Sequence, residues 1–148
     1  MNKKFIVGID DSEDSFRAAK FAVSIAKSTD VSIHLIHVLE WSPYSFLTPK
    51  ELEERHKRRG EELERANTAL IAPMIEKLET TKHKITSKVE YGAIAETIVE
   101  YCDEIDADQI FIARTGDSKL STRLFGSVPS TLVQNFKRPY HGCSISYL

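Results

Sequence analysis

Apolar and polar residues follow one another along this chain in two distinct patterns. Short continuous apolar runs, such as KFIVGID and DQIFIA, are typical of strands that are buried on both faces of a parallel sheet. Between these runs, apolar residues recur every three or four positions, as in SEDSFRAAKFAVSIAKS, and this period predicts amphipathic helices. Residues 4–40 contain a strand, a helix and a second strand, which is the signature of a βαβ unit.

The same patterns continue to the end of the chain, in the order β-α-β-α-β-α-β-α-β. We expect the strands in KFIVGID, VSIHLIHVLE, HKITSKVEYG, DQIFIA and GCSISYL, with helices in the segments between them. This order predicts an α/β fold: one doubly wound domain over residues 1–148, whose five-stranded, mostly parallel sheet is flanked by helices on both faces. The second helical segment, from about residue 50 to 79, is highly charged, and we expect Gly60 and Pro73 to disturb its geometry.

Composition then narrows the classes of function. At 148 residues the chain can bury one hydrophobic core, and its net charge of −2 gives no field that would attract nucleic acid or an anionic membrane. The apolar runs are too short to span a bilayer, and the first residues lack the pattern of a secretory signal. Cys102 and Cys143 are far apart in no metal-binding spacing, so we expect a cytoplasmic protein with reduced thiols.

Two acidic residues stand where a doubly wound fold binds ligands, outside the carboxyl ends of its strands. Asp10 and Asp11 end the first apolar run. A carboxylate there can accept hydrogen bonds from a ribose or an adenine amino group, and it can also cap the following helix. We assign Asp10 to the rim of the site, and Asp11 or Ser12 to the helix cap.

The segment ARTGDSKLSTRLFGS, residues 113–127, follows the fourth predicted strand at the same rim. Its glycines let the backbone turn sharply and bring N–H groups toward phosphate oxygens. Gly126 and Ser127 fall at the predicted start of the last helix, where free N–H groups and the helix dipole favour an anion. The same residues also fit a solvated loop in which Ser127 only caps the helix, and the spacing alone leaves both interpretations open.

The sequence contains no motif that would name a catalyst. It lacks a nucleophile elbow, a P-loop and a dinucleotide-binding fingerprint. None of its five histidines falls in a metal-binding pair on a helix. We therefore expect no catalytic residue and no protein-bound metal, and at most slow hydrolysis of a bound nucleotide.

Several segments together resemble the universal stress protein family: FIVGIDDSEDSFRAAKFAVSIAK, IHLIHVLE, EYGAIAETIVEYCDEIDADQIFIARTG and FGSVPSTLV. Members of that family that hold ATP carry a glycine, two residues, a second glycine, nine residues, a third glycine and then serine or threonine. Gly116, Gly126 and Ser127 match the later part of that motif with the nine-residue gap intact. Ala113 stands in place of the first glycine, which implies weaker binding, through backbone strain or through a methyl group that presses on the ligand.

The resemblance also implies a set of ligand contacts. Asp10 is similar to the family's adenine-side acid, Val38 to the residue whose backbone meets the adenine edge, and Val128 to a backbone donor in the phosphate-binding turn. Ile9 and Ile112 would line the adenine face or belong to the core alone. The implied cofactor-binding residues are therefore Ile9, Asp10, Val38, Ile112, Ala113, Arg114, Gly116, Gly126, Ser127 and Val128.

The implied function is a stress-response or signalling module. It would bind ATP, with or without Mg²⁺, form a homodimer through the C-terminal strand CSISYL, and act through a protein partner that the sequence does not identify. The alternative is a dimeric protein-interaction module of the same fold that has lost nucleotide binding. Ala113 favours the alternative, while Gly116, Gly126 and Ser127 favour nucleotide binding.

Overall fold

The computed structural model describes residues 3–26, 30–40, 48–78, 84–113 and 144–147. Five strands form one sheet in the order β3-β2-β1-β4-β5, and every neighbouring pair is parallel. The strands are β1 Lys3–Gly8, β2 Val31–Leu39, β3 Lys84–Tyr91, β4 Gln109–Ile112 and β5 Ser144–Tyr147. The predicted α/β class with a parallel sheet is confirmed.

The strand order fixes where a ligand site is expected. From β1 the chain proceeds through β2 and β3 toward one edge, and β4 then pairs with the opposite side of β1 before β5 extends the sheet. The order therefore reverses between β1 and β4, and in open α/β sheets the crevice at this reversal is the usual binding site. The ends of β1 and its neighbours are the first place to look.

Four α-helices connect the strands in the described part of the chain: α1 Glu13–Ile25, α2 Pro49–Ala66, α3 Ala72–Leu78 and α4 Ile94–Ile105. Local signals set their starts. Ser12 caps α1 by accepting a hydrogen bond from the Ser15 amide, and Thr48 and Glu51 form a reciprocal capping box at the start of α2. The helix that the sequence predicts from residue 126 lies outside the described residues.

The charged second segment departs from expectation in one respect. Helix α2 runs through Gly60 without a break, and the irregularity follows it instead, as a π-helical turn over Asn67–Ile71. In this turn the Ala72 amide donates to the Asn67 carbonyl five residues back. Pro73 supplies the physical reason, because it has no N–H and its ring would crowd the carbonyl four residues earlier, which favours a wider turn just before it.

The core consists of two apolar layers, one on each face of the sheet. Helices α1 and α3 cover one face, where Val7, Leu35 and Phe111 are fully buried. Helix α4 covers the other face, with Ile36 and Ile110 among the buried side chains there. Side chains of the central strands are thus buried on both sides, as their continuous apolar runs predict.

Candidate functional site

A cavity of about 580 Å³ opens at the carboxyl ends of β1 and β2. The residues after β1 and the last residues of β2 form its floor, and α4 contributes Ile94 and Ile98. The outer wall comes from the end of α2 and the π-helical turn, which contribute Glu62, Arg65 and Leu70 among others. The volume lies within the range of about 300–1,000 Å³ that is usual for small-molecule sites.

Asp10 is the buried acid of this cavity, with 6% of its surface exposed. Its Oδ1 accepts hydrogen bonds from the backbone amide of Ser12, at 2.8 Å, and from the Ser12 hydroxyl. Ser15 fixes the Asp10 backbone, because its hydroxyl donates to the Asp10 carbonyl at 2.9 Å. The other carboxylate oxygen, Oδ2, is buried and accepts no hydrogen bond from the described residues. The carboxylate is therefore held in a fixed orientation, and one of its two oxygens remains without a donor from the described part of the chain.

These contacts also settle the division of roles at the start of α1. Ser12 is the helix cap, Asp10 lies at the rim of the cavity, and Asp11 is exposed on the cavity wall. Of the two capping assignments left open by the sequence, Ser12 is the one that the structure contains.

On the β2 side, the cavity is lined by His37 and Val38. The His37 Nδ1 lies 2.8 Å from the Ile9 carbonyl oxygen. Since a carbonyl only accepts, Nδ1 carries the proton and donates, so the orientation of the ring is fixed. His37 is not among the site residues predicted from the sequence, although its place directly before Val38, near the end of a central strand, could have indicated it.

The wall formed by α2 is attached to the end of β3. The Tyr91 hydroxyl donates a hydrogen bond to Glu62 Oε2, and the Arg59 guanidinium lies 4.6 Å from the centre of the Tyr91 ring. Burial, followed by the hydrogen bond to Glu62 and that carboxylate's charge, raises the pKa of Tyr91 to about 12. The phenol thus stays protonated, and remains a hydrogen-bond donor to Glu62, throughout the neutral range.

The charges around the cavity are unevenly divided. Among the described residues that line it, four carry carboxylates and one, Arg65, carries a fixed positive charge; the four are Asp10, Asp11, Glu40 and Glu62. The remaining lining is largely aliphatic. Such a surface suits an apolar ring system whose polar edge carries hydrogen-bond donors, and it is unfavourable for a phosphate group.

The structure brings together some of the residues expected to bind a ligand and not others. Ile9, Asp10 and Val38 line the cavity. Ile112 and Ala113 are fully buried at the end of β4, and neither belongs to the cavity lining. The remaining expected residues lie outside the described part of the chain: Arg114, Gly116, Gly126, Ser127 and Val128.

A second depression of about 560 Å³ adjoins the cavity on the face covered by α1 and α3. The two share Asp10, Asp11, Ala69 and Leu70, so these residues form the boundary between them. Within the described ranges, no three metal-ligating side chains come together, and no helix has the length and apolar character of a membrane span.

Comparison with known proteins gives a consistent result. The sequence profile of the universal stress protein family matches residues 1–141. A universal stress protein of Methanocaldococcus jannaschii is 32% identical over 142 aligned residues, and the match covers 93% of this chain and 79% of that protein. Universal stress protein G of Salmonella typhimurium is 28% identical over 141 aligned residues, with coverage of 94% and 96%.

Solved structures share the fold. Universal stress protein UspA from Lactobacillus plantarum superposes with a TM-score of 0.76 at 21% identity, covering 99% of this chain and 97% of that one. Three similar structures contain a nucleotide. The first is a universal stress protein in complex with cAMP, with a TM-score of 0.60 at 22% identity, covering 99% of this chain and 96% of that one. The second is a universal stress protein family protein from Arabidopsis thaliana with AMP bound, with a TM-score of 0.63 at 16% identity and coverage of 99% and 90%. The third is a universal stress protein from Archaeoglobus fulgidus in complex with dAMP, with a TM-score of 0.59 at 20% identity and coverage of 99% and 98%.

Proposed function

This chain belongs to the universal stress protein family, and on that premise we propose that it binds an adenine nucleotide in the cavity at the ends of β1 and β2. The three nucleotides found in similar structures, cAMP, AMP and dAMP, share the adenine base and a single phosphate. The common chemistry is therefore adenine recognition, and it is this chemistry that the cavity must supply.

The observation that carries the proposal is the unused oxygen of Asp10. A buried carboxylate oxygen without a hydrogen-bond donor is costly, by about 1–3 kcal/mol or more. Among the described residues, none donates to Asp10 Oδ2 on the wall of the cavity, while Oδ1 is held by two donors from Ser12. A ligand that brings an amino or hydroxyl donor to this oxygen satisfies it, and adenine and ribose both carry such groups.

The distribution of charge supports one orientation of the nucleotide. The described lining of the cavity, with its four carboxylates and aliphatic surface, suits the base and the ribose. The residues proposed for the phosphates are Arg114, Gly116, Gly126 and Ser127, on the basis of the sequence motif; all four lie outside the described residues. The motif in this segment is the basis for assigning ATP, with or without Mg²⁺, as the physiological ligand.

The wider role follows from family membership. We propose a cytoplasmic stress-response or signalling protein that acts through a protein partner in a nucleotide-dependent manner. A homodimer would form through β5, Ser144–Tyr147, which in the described sheet pairs only with β4 and so has one open edge. We propose no enzymatic role beyond slow nucleotide hydrolysis.

A second function, a protein-interaction module without nucleotide, is favoured by Ala113. Its methyl group is fully buried where the first glycine of the motif stands in ATP-holding relatives. If the backbone at this position must approach the ligand closely, the methyl group reduces affinity by about tenfold for each 1.4 kcal/mol of repulsion.

Thermal denaturation with AMP, ADP and ATP, each with and without Mg²⁺, distinguishes the two functions. An increase in melting temperature with any of them supports the nucleotide site, and Gly126→Ala should then abolish the increase for ATP. An unchanged melting temperature at millimolar concentrations of all three would favour the interaction module. In that case Ala113→Gly is the informative variant, since restored binding would identify the alanine as the cause.

A further inference from the structure

Helix α2 differs from the other described α-helices because none of its residues is buried. Only one stripe, Arg55, Arg59, Leu63 and Ala66, is partly covered by the rest of the protein. Its polar composition and its capping box stabilise it as a helix, but neither attaches it to the sheet. A helix with so little buried apolar surface is held in place by a few specific contacts, and such elements open at low free-energy cost.

Tyr91 provides the most specific of these contacts. It is the last residue of β3. Its hydroxyl donates a hydrogen bond to Glu62, and the Arg59 guanidinium lies over its ring, 4.6 Å from the ring centre. A hydrogen bond from a phenol to a carboxylate and a cation–π contact therefore converge on one aromatic side chain. Both partners are on α2, four and seven residues before its end at Ala66.

The same end of α2 forms the outer wall of the cavity. Glu62, which binds Tyr91, lines the cavity together with Arg65 and Ala66, and the wall continues into the π-helical turn. A ligand in the cavity consequently contacts an element that Tyr91 helps to hold in place. Any molecule that binds the docked state of α2 more tightly than the undocked state must shift the helix toward docking.

We propose that Tyr91 is a positioning residue that docks α2 as a ligand-responsive wall, so that nucleotide binding and the docking of α2 stabilise each other. The inference rests on the proposed nucleotide site and adds its regulation. Coupling of this kind is reciprocal: an occupied cavity holds the charged helix against the sheet, and a firmly docked helix raises the affinity of the cavity. In this scheme, nucleotide binding in the cavity changes the surface that α2 presents to a protein partner.

Hydrogen exchange of the full-length chain, measured by mass spectrometry with and without AMP, tests the coupling. Saturating AMP should slow amide exchange in residues 52–66 as well as at the ends of β1 and β2. Tyr91→Phe removes only the hydroxyl and keeps the ring under Arg59. It should speed exchange in α2 without ligand and weaken AMP binding by about three- to tenfold, the range expected for one lost hydrogen bond.

Tyr101→Phe is the matched control, because Tyr101 lies on α4, away from the cavity lining. It should leave both α2 exchange and AMP affinity at wild-type values, and Arg59→Ala should reproduce the direction of the Tyr91→Phe effects. If AMP protects the strand ends while α2 exchange is unchanged, the coupling is overturned and the nucleotide site stands. If AMP protects no segment and leaves the melting temperature unchanged, the proposed function and the coupling fail together.

Discussion

Replacing Asp10 by asparagine tests the proposed site with the least structural disturbance. The two side chains have nearly the same shape, and an amide oxygen can still accept from the Ser12 amide and hydroxyl as Oδ1 does now. The amide nitrogen would take the place of Oδ2, the atom that accepts no hydrogen bond from the described residues. The substitution therefore exchanges the proposed ligand acceptor for a donor and retains the local turn.

The two effects on stability nearly cancel. Replacing the two charge-assisted hydrogen bonds from Ser12 by neutral ones lowers the free energy of unfolding by about 1 kcal/mol each. Removing a buried charge, one of whose oxygens accepts no hydrogen bond from the described residues, raises it by about 1–3 kcal/mol. We expect the free energy of unfolding of the ligand-free protein to change by no more than about 1 kcal/mol. The affinity for AMP has no such compensation, because a donor group of the ligand would face the amide N–H donor of the asparagine. The expected loss of about 2–3 kcal/mol in binding free energy weakens AMP binding by about 30- to 150-fold.

Calorimetric unfolding shows this contrast directly. At an AMP concentration of about 100 times the wild-type Kd, the ligand stabilises the wild-type protein by about 2.7 kcal/mol, and a hundredfold weaker variant by about 0.4 kcal/mol. For a chain of this size these values correspond to shifts in melting temperature of about 5–11 °C and about 1–2 °C. The melting temperature without ligand should be nearly equal for the two proteins.

Asp14→Asn is the control, because it also replaces one aspartate by asparagine. Asp14 lies in the first turn of α1 and does not line the cavity. This variant should keep the full AMP shift. An Asp10→Asn protein that also keeps the full shift would refute the role of Oδ2. A large drop in melting temperature without ligand would show instead that both carboxylate oxygens are needed by the fold itself.

Further predictions concern the fold and its response to pH. Gly60→Ala should raise the free energy of unfolding by about 0.5–1 kcal/mol, because an added Cβ at this helical position meets no atom within 4 Å. Gly8→Ala should lower the free energy of unfolding by about 1–3 kcal/mol, because the added Cβ would lie 3.2 and 3.3 Å from two buried isoleucine side chains. Chemical denaturation measures the effect of each substitution, and changes of the same sign for the two variants would contradict the packing. Burial, with the charges of Lys4 and Lys84, lowers the pKa of His34 below its model-peptide value of 6.5, so the folded protein binds this proton less well than the unfolded chain. Stability from His34 is therefore complete above about pH 6.5 and is lost as the pH falls below that value. His34→Gln should reduce the loss of stability between pH 7 and 5, and parallel pH profiles for the two proteins would be the contrary result.

The order of strands and helices along the chain and the acid beside the cavity could be predicted because they depend on local pattern. Continuous apolar runs identify strands buried on both faces, and the residues that follow such a run lie at the carboxyl edge of the sheet, where Asp10 lines the cavity. The outer wall of the cavity could not be predicted in this way. It depends on where a mostly solvated helix docks, and the contact that docks it joins Glu62 to Tyr91, which lie on different elements and have no common sequence pattern.

The π-helical turn shows the same limit at short range. Gly60 and Pro73 both weaken a helix on propensity alone, but the cost of glycine is small enough for α2 to continue, whereas the missing N–H and the ring of proline must be accommodated by changed geometry. Propensity ranks the two residues correctly. It does not predict that the strain is relieved upstream of Pro73, at Asn67–Ile71, where the widened turn places Leu70 on the cavity wall.

Alanine in place of glycine at residue 113 could lower the stability of the folded chain or the affinity for the nucleotide, and these two effects can be distinguished. A glycine required for left-handed backbone would make alanine unfavourable by about 1–2 kcal/mol, whether or not a ligand is bound. Among the described residues other than glycine, only Asp106 has a left-handed φ, at 57°, so Ala113 is free of this strain. Its methyl group is fully buried, where it contributes packing. The ligand-free fold therefore tolerates the alanine, and any penalty arises only as a nucleotide approaches β4.

Ala113→Gly should raise nucleotide affinity while leaving unchanged or lowering the melting temperature without ligand. A higher melting temperature without ligand would mean that the alanine strains the chain after all.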